Sequence, residues 1–156
     1  MKTFKVLALC LLFGACATAL TAQTAAQNKA NALKAYEYLN AKNFDGFASL
    51  LSDNFTEYAA PEPVAGKTPA VDNLKAFINA FPDFRVTADK VVAEGNTVMI
   101  YCTATGTFTN SFMGMEPTGK SFRVTDVDII EFDAKGKATA HWAVQDPMVM
   151  MSQIAK

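Results

Sequence analysis

Charge balance and cysteine content limit the classes of protein to which this 156-residue chain can belong. It carries 14 Lys and Arg against 15 Asp and Glu, and no basic cluster could follow a phosphate backbone, so we expect no nucleic-acid partner. Of its three cysteines, Cys10 and Cys16 lie in an N-terminal segment that we expect to be removed. Cys102 then stands alone, which excludes an intramolecular disulfide, and stability must come from the packed core of one domain.

Residues 1–23 have the order of segments that is typical of a secretion signal. Two lysines precede an apolar run from Val6 to Ala15, and small residues follow it. The run is about ten residues long, too short for a helix to cross roughly 30 Å of hydrocarbon, so we expect no membrane span. The protein is predicted to be secreted or periplasmic. Two kinds of processing stay open: cleavage at the small residues Ala17 to Ala19, or a lipid anchor at Cys16 to a bacterial envelope membrane.

After the signal, residues 24–28 are small or polar and are predicted to form a flexible tether. Residues 29–156 are predicted to form a single domain. Without Lys2 and Lys5 the chain keeps 12 basic and 15 acidic residues, so the mature protein is mildly acidic, with a net charge of about -3.

Three helices are predicted in the first half of this domain. Apolar residues recur at steps of three between Gln27 and Ala41, which favours an amphipathic helix. A second helix is expected to begin after Asn43, a good N-cap, and to include Leu51 on its apolar side. A loop follows over residues 59–67. Thr68 is then predicted to cap a third helix, which has Pro69 in its first turn and ends at Pro82.

The second half is predicted to form four strands, because it is rich in β-branched and aromatic residues. Their predicted ranges are Phe84 to Glu94, Thr97 to Phe108, Ser121 to Phe132 and Lys137 to Asp146. Short turns containing Gly95 and Gly136 join two pairs of them as hairpins. The order of elements therefore predicts an α+β fold, in which a curved antiparallel sheet wraps around three N-terminal helices and forms a cone with one open end.

Two carboxylates share one face of the third predicted strand with apolar side chains. Strand alternation places Asp126 and Asp128 on the same face as Ile130 and Phe132. A solvated sheet face is an equally good explanation for Asp126, which is nearest the polar start of the strand. Asp128 lies next to apolar neighbours, where a carboxylate must find a donor or its pKa rises until it can transfer protons near neutral pH.

Other chemistry is less well supported by the residues. His141, the only histidine, points to the opposite face of its strand from Trp142, and a structural role is open as well as a catalytic one. With one histidine and no cysteine pair we expect no metal site. Cys102 is predicted to be a buried, unreactive thiol.

Several segments resemble the SnoaL-like polyketide cyclase (ester cyclase) family. They are Phe112 to Lys120 (Phe-Met-Gly-Met-Glu-Pro-Thr-Gly-Lys), Val124 to Ile129 with its central Asp128, and His141 to Asp146. The resemblance implies the nuclear transport factor two-like fold, also described as a cystatin-like α+β barrel, which often dimerises through its sheet. It further implies ring closure by intramolecular aldol condensation without a cofactor, with Asp128 as the acid/base. The histidine that the family places near the end of its third strand or in the loop beyond is replaced here by Phe108, Met113 and Met115.

These observations leave two functions open. One is a cofactor-independent enzyme of cyclase, isomerase or dehydratase type, with Asp128 catalytic and His141 or Asp146 assisting. The other is a non-catalytic protein that binds a small hydrophobic molecule. In either case we expect a homodimer and an apolar pocket lined by Tyr36, Tyr58, Phe77, Cys102, Phe108, Phe112, Met115, Val124, Asp126, Ile130 and Trp142.

Overall fold

A computed structural model describes residues 24–155, so the predicted secretion signal lies outside the described part of the chain. The first helix, α1, spans 24–40. Residues 24–28, for which we expected a flexible tether, form its first turns instead. The reason is tertiary: Asn28 is 1% exposed, and its side-chain amide donates to the Gly95 carbonyl 3.4 Å away.

Helix α2 (Phe44–Leu50) begins at the predicted N-cap, because the Asn43 side chain accepts a hydrogen bond from the Gly46 amide. A strand, β1 (Leu51–Glu57), follows directly and was not predicted. The reason is its composition: five of its seven residues are polar, and only Leu51 and Phe55 are buried. A two-residue strand, β2 (Val64–Ala65), lies within the predicted loop.

Helix α3 (Lys67–Ala80) begins before the predicted cap at Thr68. Its N-cap is Gly66, which has a φ of 96° and provides no side-chain cap. Glycine is suited to this position, since other residues rarely adopt such a backbone conformation. The helix ends before Pro82, as predicted.

The remaining strands are β3 (Arg85–Glu94), β4 (Thr97–Thr107), β5 (Ser121–Phe132) and β6 (Ala138–Ala143). The last of them is shorter than predicted, because the chain leaves the sheet and forms α4 (Pro147–Ile154), a helix that we did not expect. Asp146 is its N-cap and Pro147 its first residue. Within residues 24–155, no helix combines the length and apolar character needed to span a membrane.

The sheet has six strands in the order β2-β1-β6-β5-β4-β3, and it is curved and unclosed. All neighbouring pairs are antiparallel except β1 and β6, which are parallel. The predicted α+β class is confirmed, although β1 and β2 extend the predicted four-stranded meander. The segment between α2 and α3 thus joins the sheet, because its strand β1 pairs with β6.

One face of the sheet packs against the helices and forms the core. Three even-numbered residues of β4, Val98, Ile100 and Cys102, are 0–2% exposed, as strand alternation predicts. The even-numbered face of β5 is buried at both ends, around the two aspartates. Polar side chains thus lie at the centre of an otherwise apolar concave face.

Candidate functional site

Two adjoining chambers lie between the helices and the concave face of the sheet. The inner chamber, about 130 Å³, lies beneath α1, α2 and α3. The outer chamber, about 290 Å³, is lined mainly by β3, β4, β5 and β6, with α1 and α3 on the other side. Five of the lining residues are shared by the two chambers: Tyr36, Leu39, Leu74, Asp128 and His141. The aspartate and the histidine therefore stand where the chambers meet.

Asp128 receives donors at both of its carboxylate oxygens. The Tyr36 hydroxyl of α1 donates a hydrogen bond to Oδ2. His141 of β6 brings its Nε2 to 3.2 Å from Oδ1. The Asp128 side chain is 15% exposed, so these partners satisfy a carboxylate that is mostly removed from water.

His141 lies between two carboxylates. Its Nδ1 is 2.8 Å and 2.9 Å from the two carboxylate oxygens of Glu57, at the end of β1. Burial by itself lowers the pKa of His141, but the hydrogen bonds to Asp128 and Glu57 and their negative charges outweigh this and raise it to about 10. The ring is therefore an imidazolium at neutral pH and donates from both nitrogens. We call the hydrogen-bonded series Glu57, His141, Asp128 and Tyr36 the polar row.

Two groups close to Asp128, the Tyr36 hydroxyl and the Cys102 thiol, keep their protons at neutral pH. Burial, and then the charge of Asp128, raise the pKa of the Tyr36 hydroxyl, which therefore stays protonated and can only donate to the carboxylate. Burial and the same charge raise the pKa of Cys102 to about 12. The thiol is 2% exposed and stays protonated at neutral pH, which agrees with the predicted unreactive cysteine.

Asp126 lies two residues before Asp128 on the same strand face and lines the outer chamber. Its Oδ1 is buried and has no hydrogen-bond partner among the described residues. Burial, and then the charge of Asp128, raise the pKa of this carboxyl group. Backbone amides of Val127 and Val144 and the charge of His141 act in the opposite direction without cancelling the effect.

Comparison with known proteins adds to this geometry. The family model of the SnoaL-like polyketide cyclases matches residues 30–154. The chain belongs to this family. No curated protein matches it in sequence.

Solved structures of this fold include members from several bacteria. AclR of Streptomyces galilaeus, a candidate hydroxylase, is 26% identical, with a TM-score of 0.73 over 82% of this chain and 95% of that one. A candidate SnoaL-like polyketide cyclase from Jannaschia sp. CCS1 is 21% identical, with a TM-score of 0.77 over 83% and 92%. IdmH of Streptomyces antibioticus, a candidate polyketide cyclase, is 23% identical, with a TM-score of 0.70 over 81% and 97%. These likenesses support the nuclear transport factor two-like fold.

In this SnoaL-like domain, Phe108, Met113 and Met115 occupy the positions where the resemblance implied a histidine. None of the three lines the chambers around Asp128. Phe108 is 2% exposed in an aromatic cluster with Phe81, and Met113 is 74% exposed. Met115 lines a separate cleft beside α4, together with Phe108. The histidine that contacts Asp128 comes instead from β6.

Most of the residues predicted to line a pocket do so. The outer chamber contains Tyr36, Phe77, Cys102, Val124 and Asp126, and the inner chamber contains Ile130. Phe112 lies outside both chambers and packs edge-on against the ring of Phe77. The β5 alternation that suggested Val124, Asp126 and Ile130 therefore agrees with the chamber walls.

Besides Phe108, Phe112 and Met115, three more predicted site residues lie outside the two chambers. Tyr58 and Trp142 stack on each other, with ring centroids 4.9 Å apart and planes 3° from parallel, and neither lines a chamber. Strand alternation explains this, since His141 faces inward and its neighbour must face outward. Asp146 accepts a hydrogen bond from the Met148 amide as the N-cap of α4, so its carboxylate serves that helix.

Glu57 is the site residue that sequence reasoning missed. It belongs to β1, whose polar composition hid the strand, and 84 residues separate it from His141. The only local signal was the spacing of Phe55 and Glu57, which strand alternation places on one face of β1. Among residues 24–155, no group of three or more His, Cys, Asp and Glu side chains is arranged to hold a metal ion.

Proposed function

We propose that this protein is a cofactor-independent acid/base enzyme of the cyclase, isomerase or dehydratase type, acting on a small hydrophobic carbonyl compound. The observation that carries the proposal is the position of Asp128 at the junction of two apolar chambers, with donors on both of its oxygens. Membership of the SnoaL-like family supports the same class of reaction.

The reaction would begin with a substrate lying in the outer chamber against the rings of Phe77, Phe84 and Phe122. Asp128 takes a proton from the carbon next to the carbonyl group, and an enolate forms. Returning that proton to another carbon completes an isomerisation, and delivering it to an aldol oxygen completes a cyclisation. The apolar walls exclude water and keep the substrate folded for the step.

His141 and Glu57 would assist as positioning residues. The imidazolium holds the Asp128 carboxylate in one orientation, and Glu57 holds the imidazolium. Tyr36 provides a neutral donor on the other side of the carboxylate. Because each carboxylate oxygen has further lone pairs, Asp128 can accept a substrate proton while these contacts persist.

Deuterium exchange tests this proposal without knowledge of the natural substrate. A set of mono- and bicyclic ketones is incubated with the protein in D2O, and loss of the proton signals next to the carbonyl is followed by NMR. We expect exchange above the buffer rate with the wild-type protein and a loss of at least about 100-fold in Asp128→Asn, whose amide cannot accept the proton. Glu131→Gln, on the opposite face of β5, is the matched control and should exchange like the wild type.

The second candidate function is a binding protein for a small hydrophobic molecule. The replacement of the family's histidine by Phe108, Met113 and Met115 favours it, as do the apolar walls of both chambers. Mass spectrometry of a ligand copurified with the native protein separates the two functions. A ligand recovered chemically unchanged after incubation, together with ketone exchange no faster than in Asp128→Asn, would leave binding as the function.

We also propose that the protein acts outside the cytoplasm, on the basis of the charged, apolar and small segments of residues 1–23. Intact-mass measurement of protein from cell fractions tests this. A mature chain that lacks these residues supports export, and a diacylglycerol mass on Cys16 would identify the lipid-anchored form. A full-length chain in the cytoplasmic fraction would contradict both.

A homodimer is proposed from the exposed outer face of the sheet. Val92, Met99 and Tyr101 are 64%, 43% and 42% exposed there. Apolar side chains on an open sheet face are typical of a contact surface. Sedimentation velocity should give a dimer at micromolar concentration, and a monomer throughout would contradict the proposal.

A further inference from the structure

Asp126 has no part in the mechanism proposed above, although it lines the outer chamber beside Asp128. Residues i and i+2 of a strand, such as Asp126 and Asp128, have Cα atoms about 7 Å apart. One small substrate can therefore reach both carboxyl groups. The nearby titratable groups are Asp128 on its own strand, His141 on β6, and Cys102 opposite on β4. Of the two aspartates, only Asp128 has side-chain donors at both carboxylate oxygens.

The two carboxyl groups have opposite environments. Asp128 receives the Tyr36 hydroxyl at one carboxylate oxygen and the His141 ring at the other. Asp126 has a buried oxygen without any partner in the described structure. A buried, unpaired oxygen of a charged carboxylate is unfavourable, and protonation relieves it. Rotation about the Cβ–Cγ bond, which is a soft torsion in aspartate, turns that oxygen into the outer chamber.

We propose that Asp126 is a second catalytic residue, a protonated carboxyl group that donates a hydrogen bond to the carbonyl oxygen of the substrate while Asp128 removes the neighbouring proton. This inference rests on the proposed function and assigns an additional donor within the same site. Two carboxyl groups whose environments separate their protonation states can divide the roles of acid and base in this way.

The step balances without a co-reactant. The C–H bond next to the carbonyl breaks and its proton goes to Asp128. The electron pair of that bond forms the C=C bond of the enolate, and the carbonyl π pair moves to oxygen. The Asp126 O–H stabilises this oxygen by donating a hydrogen bond to it. Return of the proton from Asp128 to carbon restores both carboxyl groups.

The first test measures the protonation of Asp126 directly. Protein labelled with 13C at aspartate side-chain carboxyls is titrated by NMR, and the signals are assigned with Asp126→Asn and Asp128→Asn. We expect the Asp126 signal to titrate well above the usual aspartate value of about 3.9. An Asp126 signal that titrates near that value would overturn the proposal.

The second test uses 2-naphthol, whose oxygen on a flat aromatic frame imitates an enolate. Binding is followed by the fluorescence of the probe for the wild type, Asp126→Asn and Asp126→Ala. The alanine variant should bind about tenfold more weakly, because the donor is lost. The asparagine variant should recover most of that affinity, since its amide donates from the same place. Equal affinities of alanine variant and wild type, or no saturable binding by the wild type, would contradict the proposal.

The ketone exchange assay separates the failure of this inference from that of the proposed function. If Asp126→Ala exchanges as fast as the wild type while Asp128→Asn does not exchange, Asp128 keeps its role and Asp126 is no donor. If no variant and no wild-type protein exchanges, the enzyme proposal itself is wrong. Thermal unfolding of each variant checks that the fold is retained.

Discussion

His141 shows how one side chain connects distant parts of this molecule. The ring contacts Asp128 on β5 and Glu57 on β1, the two strands that flank β6. An imidazolium can donate to both carboxylates, whereas a neutral ring would leave one of them facing a lone pair. The protonated form is therefore the one that fits the folded protein.

The stability of the protein should consequently depend on the titration of His141. Its pKa is about 10 in the folded state and about 6.5 in an unfolded chain. The stabilisation is thus complete below about pH 6.5 and is lost as the pH rises through about 10. Urea unfolding at pH 7 and pH 10.5 should show a larger loss for the wild type than for His141→Gln, with a slope of at most about 1.4 kcal/mol per pH unit.

The His141→Gln variant is a sufficient control for this titration, because the chain has no other histidine. Equal losses of stability in the two proteins between these pH values would show that the imidazolium contributes nothing beyond the general effect of alkali.

Helix α2 is a short element that depends on its cap. With seven residues it has few internal hydrogen bonds, and the Asn43 side chain satisfies the Gly46 amide at 2.8 Å. We expect Asn43→Ala to lower the free energy of unfolding by about 1 kcal/mol and Asn43→Gly by only a few tenths. Chemical denaturation measures both. If the two substitutions cost the same, the side-chain oxygen is not what stabilises the helix start.

Caps and turns of this kind could be recognised from the sequence because they depend on neighbouring residues. The limits of β4 and β5 followed from alternation for the same reason. Strand β1 could not be recognised, since most of its side chains are polar and only its pairing with β6 makes it a strand. Helix α4 was missed because the prediction continued β6 through Asp146, which is instead the cap of that helix.

At the scale of the whole molecule, asparagine side chains attach α1 to the sheet. The Asn40 amide donates to the Val86 carbonyl at 2.8 Å, and its oxygen accepts from the Val86 amide at 2.9 Å. Val86 lies on β3, one of the two edge strands, so this side chain takes the place of a paired strand. Asn31 contacts the turn before β6 in a similar way, donating to the Gly136 carbonyl at 2.8 Å.

Removing the Asn40 contact should therefore weaken the attachment of α1, which carries Tyr36 into the site. We expect Asn40→Ala to cost about 2 kcal/mol, because two hydrogen bonds are lost and two half-buried backbone groups of Val86 are left without partners. Lys34→Ala, which removes an exposed ion pair with Glu37, is the control and should cost clearly less, because solvent screens such a pair. Similar costs for the two variants in thermal unfolding would contradict this role.

The sequence by itself determined the α+β class, the run of strands from β3 to β6, and the presence of Asp126 and Asp128 on the same face of one strand. These features follow from periodicity and local backbone chemistry, which neighbouring residues decide. Only the tertiary structure decided that Glu57, His141 and Tyr36 meet around Asp128, that Trp142 and Asp146 lie elsewhere, and that residues 24–28 are helical. The physical reason is that each of these depends on pairing between segments far apart in the chain, whose energy no local pattern records.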